Sequence, residues 1–115
     1  MKRRHYLQSL KDTIDSAADI EKFMAGVSLE QLSGDRKTLF AVAKALENIG
    51  EAVKQIPAAV RQKYPDVPWK DMAGMRDVLV HDYFGVDAAI VWKTVQEDLP
   101  SLKRRITDIL AAIER

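Results

Sequence analysis

The chain has 115 residues, of which 47% are hydrophobic and 30% are charged, and its formal net charge is +1. That length is enough for one domain with a single core, so we expect one helical domain over residues 1–115. A charge so close to zero argues neither for nor against nucleic acid, and any phosphate-binding surface must be a local patch. Cysteine is absent, which excludes a disulfide framework and thiolate chemistry and fits a cytoplasmic protein.

The first segment reads as an amphipathic helix. The basic start Met1-Lys2-Arg3-Arg4 is followed by polar, amphipathic sequence, so we expect neither a signal-peptide core nor a membrane span. A helix over about residues 3–25, closed by Gly26, is predicted from apolar residues at spacings of three and four, with Glu21 interrupting the series. These residues are Leu7, Leu10, Ile14, Ala17 and Met24. Ser28 and Gln31 have the form of a capping box and predict a short helical turn.

The second long helix has two low-polarity faces. Asp35 is a good N-cap, and an apolar stripe follows at alternating spacings of three and four. The stripe consists of Leu39, Val42, Leu46, Ile49, Val53 and Ile56, and the other face of Ala41, Ala45, Asn48 and Ala52. Such a helix either lies at the centre of a bundle, which is favoured, or meets another subunit. Asn48 is either a polar group near the functional site or one that fixes an interface.

Prolines mark the connection that follows. Pro57 ends the second helix and leaves at most a short helical appendage over residues 58–63. The segment 64–68 is the clearest linker in the chain, since each proline disfavours helix at the preceding residue. The linker leads to Trp69, which we predict to be a core anchor.

The next helix carries the chemistry. Pro68 suits a first helical turn and Gly85 a residue just past the end, which would put His81 and Tyr83 in the last turn. On an ideal helix Arg76 and Tyr83 project within roughly 20° of each other, whereas His81 is rotated roughly 140° from Arg76. The arginine and histidine therefore converge on one ligand only if the arginine curls back, the helix frays, or a second copy faces the first. The alternative is that they are surface charges and Tyr83 completes an apolar stripe.

The last helix is predicted to begin at an N-cap, Asp87, and to continue through Pro100 with a kink. Its apolar residues recur at spacings of three and four and so fall on one face of the helix on both sides of Pro100. They are Val91, Val95, Leu99, Leu102, Ile106, Ile109 and Ile113. The triplet Lys103-Arg104-Arg105 is interpreted as a solvated face because acidic residues surround it. There is no period-two alternation, so no strand is predicted.

The residue types of the motif favour metal-independent RNA cleavage. Metal catalysis is disfavoured because no second histidine stands at ligand spacing, and no serine occupies a strained nucleophile turn. A histidine such as His81 moves protons near neutral pH, and an arginine such as Arg76 binds phosphate oxygens with a planar fork. Together they suit a reaction in which the ribose 2′-OH is the nucleophile, although one motif supplies only one histidine and such cleavage usefully employs two proton carriers. No metal and no cofactor are expected.

The same stretch resembles the HepT-like branch of the HEPN family. The resemblance rests on Val67-Pro68-Trp69, Ala73-Gly74-Met75-Arg76, Leu79-Val80-His81-Asp82-Tyr83-Phe84-Gly85-Val86-Asp87, Ile90-Val91-Trp92 and Glu97-Asp98-Leu99-Pro100, with Asp35-Arg36-Lys37-Thr38 and the segment 45–52 upstream. It implies a ribonuclease toxin, paired with a minimal nucleotidyltransferase antitoxin, in which Arg76 and His81 are catalytic. It also implies that the antitoxin adenylylates Tyr83. Asn48 and Asp82 are candidates for positions beside the site.

We therefore expect an all-α protein, an antiparallel four-helix bundle with short extra helical turns, that works as a homodimer and cleaves RNA. The dimer is implied because motif helices of HEPN domains meet in a shared cleft. The first alternative is a non-catalytic HEPN dimer that docks a nucleotidyltransferase or binds nucleotide. The second is a purely structural bundle, which does not explain why Arg76, His81 and Tyr83 stand at the end of this helix.

Overall fold

Helices form nearly all of the chain that the structure describes, and no strand occurs among the described residues, which confirms the all-α prediction. The computed structural model describes the backbone of residues 3–80 and 86–114 and the side chains of residues 5–74 and 86–114. The helices are α1 (Arg3–Met24), α2 (Leu29–Gly34), α3 (Arg36–Lys54), α4 (Ala58–Lys63), α5 (Trp69–Val80), α6 (Ala88–Lys93) and α7 (Leu99–Glu114). Within these ranges, no helix has an apolar stretch long enough to cross a bilayer.

Helices α1 and α7 run antiparallel, and two ion pairs record the direction. Lys11, near the start of α1, lies 3.6 Å from Glu114 at the end of α7. Glu21, near the end of α1, lies 2.7 Å from Lys103 in the first half of α7. The sequence predicted that Glu21 interrupts the apolar stripe of α1. It does not, because the neighbouring Ile20 is fully buried and continues the stripe.

Helix α3 is the centre of the bundle, as predicted, and packs against α1, α2, α5 and α6. Every residue of its predicted stripe is buried, and Leu46, Ile49 and Val53 have no exposed surface. Burying one such side chain contributes about 1.5–3 kcal/mol. The small residues Ala45 and Ala52 are also buried, so α3 is covered on more than one side.

Three polar side chains begin helices where the sequence predicted them. Ser28 and Gln31 form a reciprocal capping box at α2. The carboxylate of Asp35 accepts the Thr38 backbone N–H at the start of α3, and the carboxylate of Asp87 accepts the Ala89 N–H at α6. Each cap satisfies an N–H that has no partner within its helix.

The last two helices form one continuous helical run, as predicted. This run contains a π-helical segment at Thr94–Asp98, which the sequence did not predict. There the Leu99 N–H donates to the Thr94 C=O, five residues back. Val91, Val95 and Leu99 recur every four residues, a spacing that drifts by roughly 40° per step on an α-helix. The wider π turn removes that drift, and all three residues are buried. It also comes just before Pro100, whose ring would crowd an α-helical carbonyl four residues back.

Candidate functional site

Helix α5 carries the only part of the predicted catalytic motif that falls in a described segment. The backbone of Arg76 belongs to this helix, which is described from Trp69 to Val80. The Arg76 side chain, and all of His81, Asp82 and Tyr83, lie outside the described residues. The convergence of these groups on one ligand therefore stays a prediction. The described residues show which contacts fix the start of α5 in the fold.

The start of α5 is fixed by a buried tryptophan, which confirms the predicted core anchor. Trp69 is only 7% exposed, and its indole Nε1–H donates to the Tyr64 backbone C=O over 2.8 Å. The Pro68 C=O accepts the Met72 N–H over 3.0 Å and so begins the helical hydrogen bonds. Met72, one turn further on, is 1% exposed. The first turn of α5 is thus anchored both to the core and to its own linker.

A second contact ties that linker to α7. The Arg105 guanidinium donates from Nε and Nη2 to the two carboxylate oxygens of Asp66, and the Nη2–Oδ1 distance is 3.2 Å. The same guanidinium carbon lies 5.9 Å from the centre of the Tyr64 ring. The hydrogen bond from Arg105 lowers the pKa of Asp66, and the partnership with Asp66 raises the pKa of Arg105.

The cationic triplet of α7 is therefore not a bare solvated face. Lys103 is paired with Glu21 and Arg105 with Asp66, so two of the three cations hold elements together. Sequence spacing could not reveal either pair, since the partners lie on different elements. Arg104 remains exposed.

Asn48 lies in an acidic groove between α1 and α3. It is exposed, and the groove of about 490 Å³ is also lined by Asp12, Asp15 and Glu51. Carboxylates repel a phosphate backbone, so this groove is a poor surface for RNA. The position of Asn48 relative to Arg76 remains a prediction. Among the described residues, no group of three or more His, Cys, Asp or Glu side chains is arranged to hold a metal ion.

Comparison with known proteins places the chain in a family. The family model described as "Ribonuclease HepT-like" matches residues 13–109, a range that contains α5 and the whole stretch from Arg76 to Tyr83. The chain belongs to the HepT-like ribonuclease family. Membership agrees with the resemblance found in the sequence and with the all-α architecture.

Two relatives show how far this HepT-like similarity extends. A protein of Thermococcus cleftensis named "Probable ribonuclease HepT" is 50% identical over 105 residues, which cover 90% of this chain and 93% of the relative. A protein of Methanocaldococcus jannaschii named "Putative RNase MJ1216" is 40% identical over 114 residues, 99% of this chain and 94% of the relative. No solved structure matches this HepT-like chain.

Proposed function

We propose that this HepT-like chain is a metal-independent endoribonuclease and the toxin of a toxin–antitoxin pair. The observation that carries the proposal is the family match over residues 13–109, because it includes both Arg76 and His81. The names of the two relatives, both of which refer to a ribonuclease, support the same reaction class. The chemistry of arginine and histidine, considered without any relative, also favours it.

The reaction needs no nucleophile from the protein. The ribose 2′-oxygen attacks the adjacent phosphorus, the bond from phosphorus to the 5′-oxygen breaks, and the products are a 2′,3′-cyclic phosphate and a 5′-hydroxyl. His81 transfers protons, taking one from the 2′-OH or giving one to the leaving oxygen. Arg76 stabilises the negative charge that builds up on the phosphoryl oxygens.

A homodimer completes the site in this proposal. Arg76 and His81 are rotated roughly 140° apart on an ideal helix, so a second copy of α5 offers the simplest way to bring one of each to the same phosphate. It also supplies a second histidine, so that one can act as base and the other as acid. A symmetric pair of helices is the common arrangement for such an interface.

The proposed switch is adenylylation of Tyr83 by a nucleotidyltransferase antitoxin. The tyrosine oxygen attacks the α-phosphorus of ATP, the bond to the β-phosphate bridge breaks, and pyrophosphate leaves. The product carries a phosphodiester charge and a bulky nucleoside two residues beyond His81. That charge can occupy Arg76 in place of RNA, which would neutralise the toxin.

Cleavage of RNA by the purified protein in excess chelator tests the reaction. We expect products with cyclic-phosphate ends, and a loss of roughly a hundredfold or more in rate for His81→Ala. His5→Ala is the matched control, since His5 is the other histidine of the chain and is exposed on α1. Unchanged cleavage by a folded His81→Ala variant, or a strict need for magnesium, would refute the assignment. A dimer that binds its partner without cutting any RNA would support the non-catalytic alternative.

A further inference from the structure

A notch of about 380 Å³ opens between α4 and the start of α5 and shares no lining residue with the acidic groove. Its floor is apolar and its polar groups are two cations and an amide. The lining residues are Ala58, Arg61, Gln62, Pro65, Trp69 and Lys70. Cations above an apolar floor suit a ligand that combines anionic and carbon-rich parts.

The surroundings of the notch are basic. From Ala52 to Lys70 the chain has four cations, Lys54, Arg61, Lys63 and Lys70, and one acid, Asp66. Asp66 is already bound by Arg105 of α7. Asp66 is therefore not free to neutralise these cations, and the excess of positive charge is confined to residues 52–70, since Glu51 and Asp71 border the segment directly.

Unlike Arg105, Arg61 forms no ion pair with a carboxylate of the described residues. Its Nε is buried and has no hydrogen-bond acceptor among the described residues, whereas the Nε of Arg105 donates to Asp66. The Arg61 side chain is half-buried in the wall of the notch. A half-buried guanidinium with no carboxylate partner among the described residues is suited to bind an anionic oxygen in the notch.

The notch and Arg76 share one helix. Lys70 and Arg76 are six residues apart on α5, which corresponds to about 9 Å along the helix axis and a rotation of roughly 120° around it, so a strand that contacts both must curve around the helix. Gly74 lies between them, one turn after Lys70, and a methyl group added there would meet no described atom within 4 Å. Among the described residues, no atom crowds the helix surface at Gly74, one turn from the notch.

We propose that this notch binds the phosphate–ribose backbone of the RNA substrate; the inference rests on the ribonuclease function proposed above. Arg61 and Lys70 contact phosphate oxygens, and the Gln62 amide is suited to a ribose 2′-OH. The apolar floor receives the carbon face of the ribose. The notch thereby holds the strand along α5 at a distance from the bond that is cleaved, without reading its sequence.

The test measures RNA binding separately from cleavage. Fluorescence anisotropy with a labelled single-stranded RNA is carried out in the His81→Ala background, where the RNA stays intact. We expect Arg61→Gln with Lys70→Ala to weaken binding on the order of tenfold and to reduce the slope of log K against log salt by about 1.4, two lost phosphate contacts. In the active enzyme the same pair should raise KM for RNA more than it lowers kcat.

Lys22→Ala is the matched control, because Lys22 is an exposed lysine in the last turn of α1, outside the notch. Thermal unfolding shows whether each variant folds. The single variant Lys70→Glu provides a second measurement of RNA affinity, because Lys70 is exposed. RNA affinity equal to that of Lys22→Ala would overturn the proposal. So would unchanged RNA affinity combined with lost binding to the antitoxin. Absence of any RNA cleavage by the wild type would instead overturn the ribonuclease function.

Discussion

Arg105 and Asp66, 39 residues apart, are joined by two parallel hydrogen bonds between a guanidinium and a carboxylate. This contact connects α7 to the linker that leads into α5. The linker is held from its other side by the Trp69 indole, which donates to the Tyr64 C=O. The position of the helix that carries Arg76 therefore depends on a residue far from the motif in sequence.

Replacement of Asp66 by asparagine should make stability less dependent on pH. The bond from Arg105 lowers the pKa of Asp66 below its unfolded value, so its contribution is fully present above about pH 4 and is lost as pH falls through the folded pKa. At pH 7 Asp66→Asn should unfold at a lower temperature than the wild type. The two melting temperatures should converge in acid. The difference is modest because the pair is largely exposed.

Asp108→Asn is the comparison for this experiment. Asp108 also faces Arg105, but at 3.6 Å and from within α7, so it joins no separate elements. We expect a smaller decrease in melting temperature than for Asp66→Asn. An equal or larger decrease would contradict the role given to Asp66.

Two glycines with open space around them should respond in opposite ways to alanine. Gly74→Ala lies inside α5, and we expect it to stabilise the fold by about 0.5–1 kcal/mol. Gly26 has a φ of +72°, so Gly26→Ala should destabilise by about 1–2 kcal/mol. Urea unfolding midpoints measure both. The same sign for both variants would contradict this account.

The proposed dimer predicts the mass of the particle in solution. Size-exclusion chromatography with light scattering at micromolar concentration should give twice the chain mass of 13.0 kDa. The reason is that Arg76 and His81 are not expected to meet on a single helix. A monomer throughout that range would contradict the shared cleft.

The proposed switch predicts a change in intact mass. Incubation with the antitoxin and ATP should add one or more AMP units to the wild type and abolish RNA cleavage. Tyr83→Phe should remain unmodified and active. The chain has three tyrosines, so AMP that persists in Tyr83→Phe would direct attention to Tyr6 or Tyr64.

Features that depend on neighbours in sequence were predictable. Ser28, Asp35 and Asp87 cap helices through residues two or three positions away, and the stripe of α3 follows from helical periodicity. The family could also be recognised, because its motif is nearly contiguous from Val67 to Pro100.

Features that depend on distant partners were not predictable. The pairs Arg105 with Asp66 and Lys103 with Glu21 join different elements, and nothing in the spacing of these charges selects one partner over another. The notch at Arg61 and Lys70 forms only when α4 folds beside α5. The π turn was missed because a proline in a helix predicts a kink and does not specify which hydrogen bonds adjust.

The π-helical segment at Thr94–Asp98 acts as a one-residue insertion that the long last helix has absorbed. Helix α6, before it, packs against α2 and α3, and α7, after it, packs against α1. The wider turn takes up the extra residue, so the buried residues of each half face their own partner helices although the backbone stays helical between them. Deletion of one residue from this segment should therefore convert the π turn into an ordinary α-helical turn and leave Ile106 and Ile109 in the core, whereas the same deletion early in α7 would rotate both by roughly 100° around the helix axis.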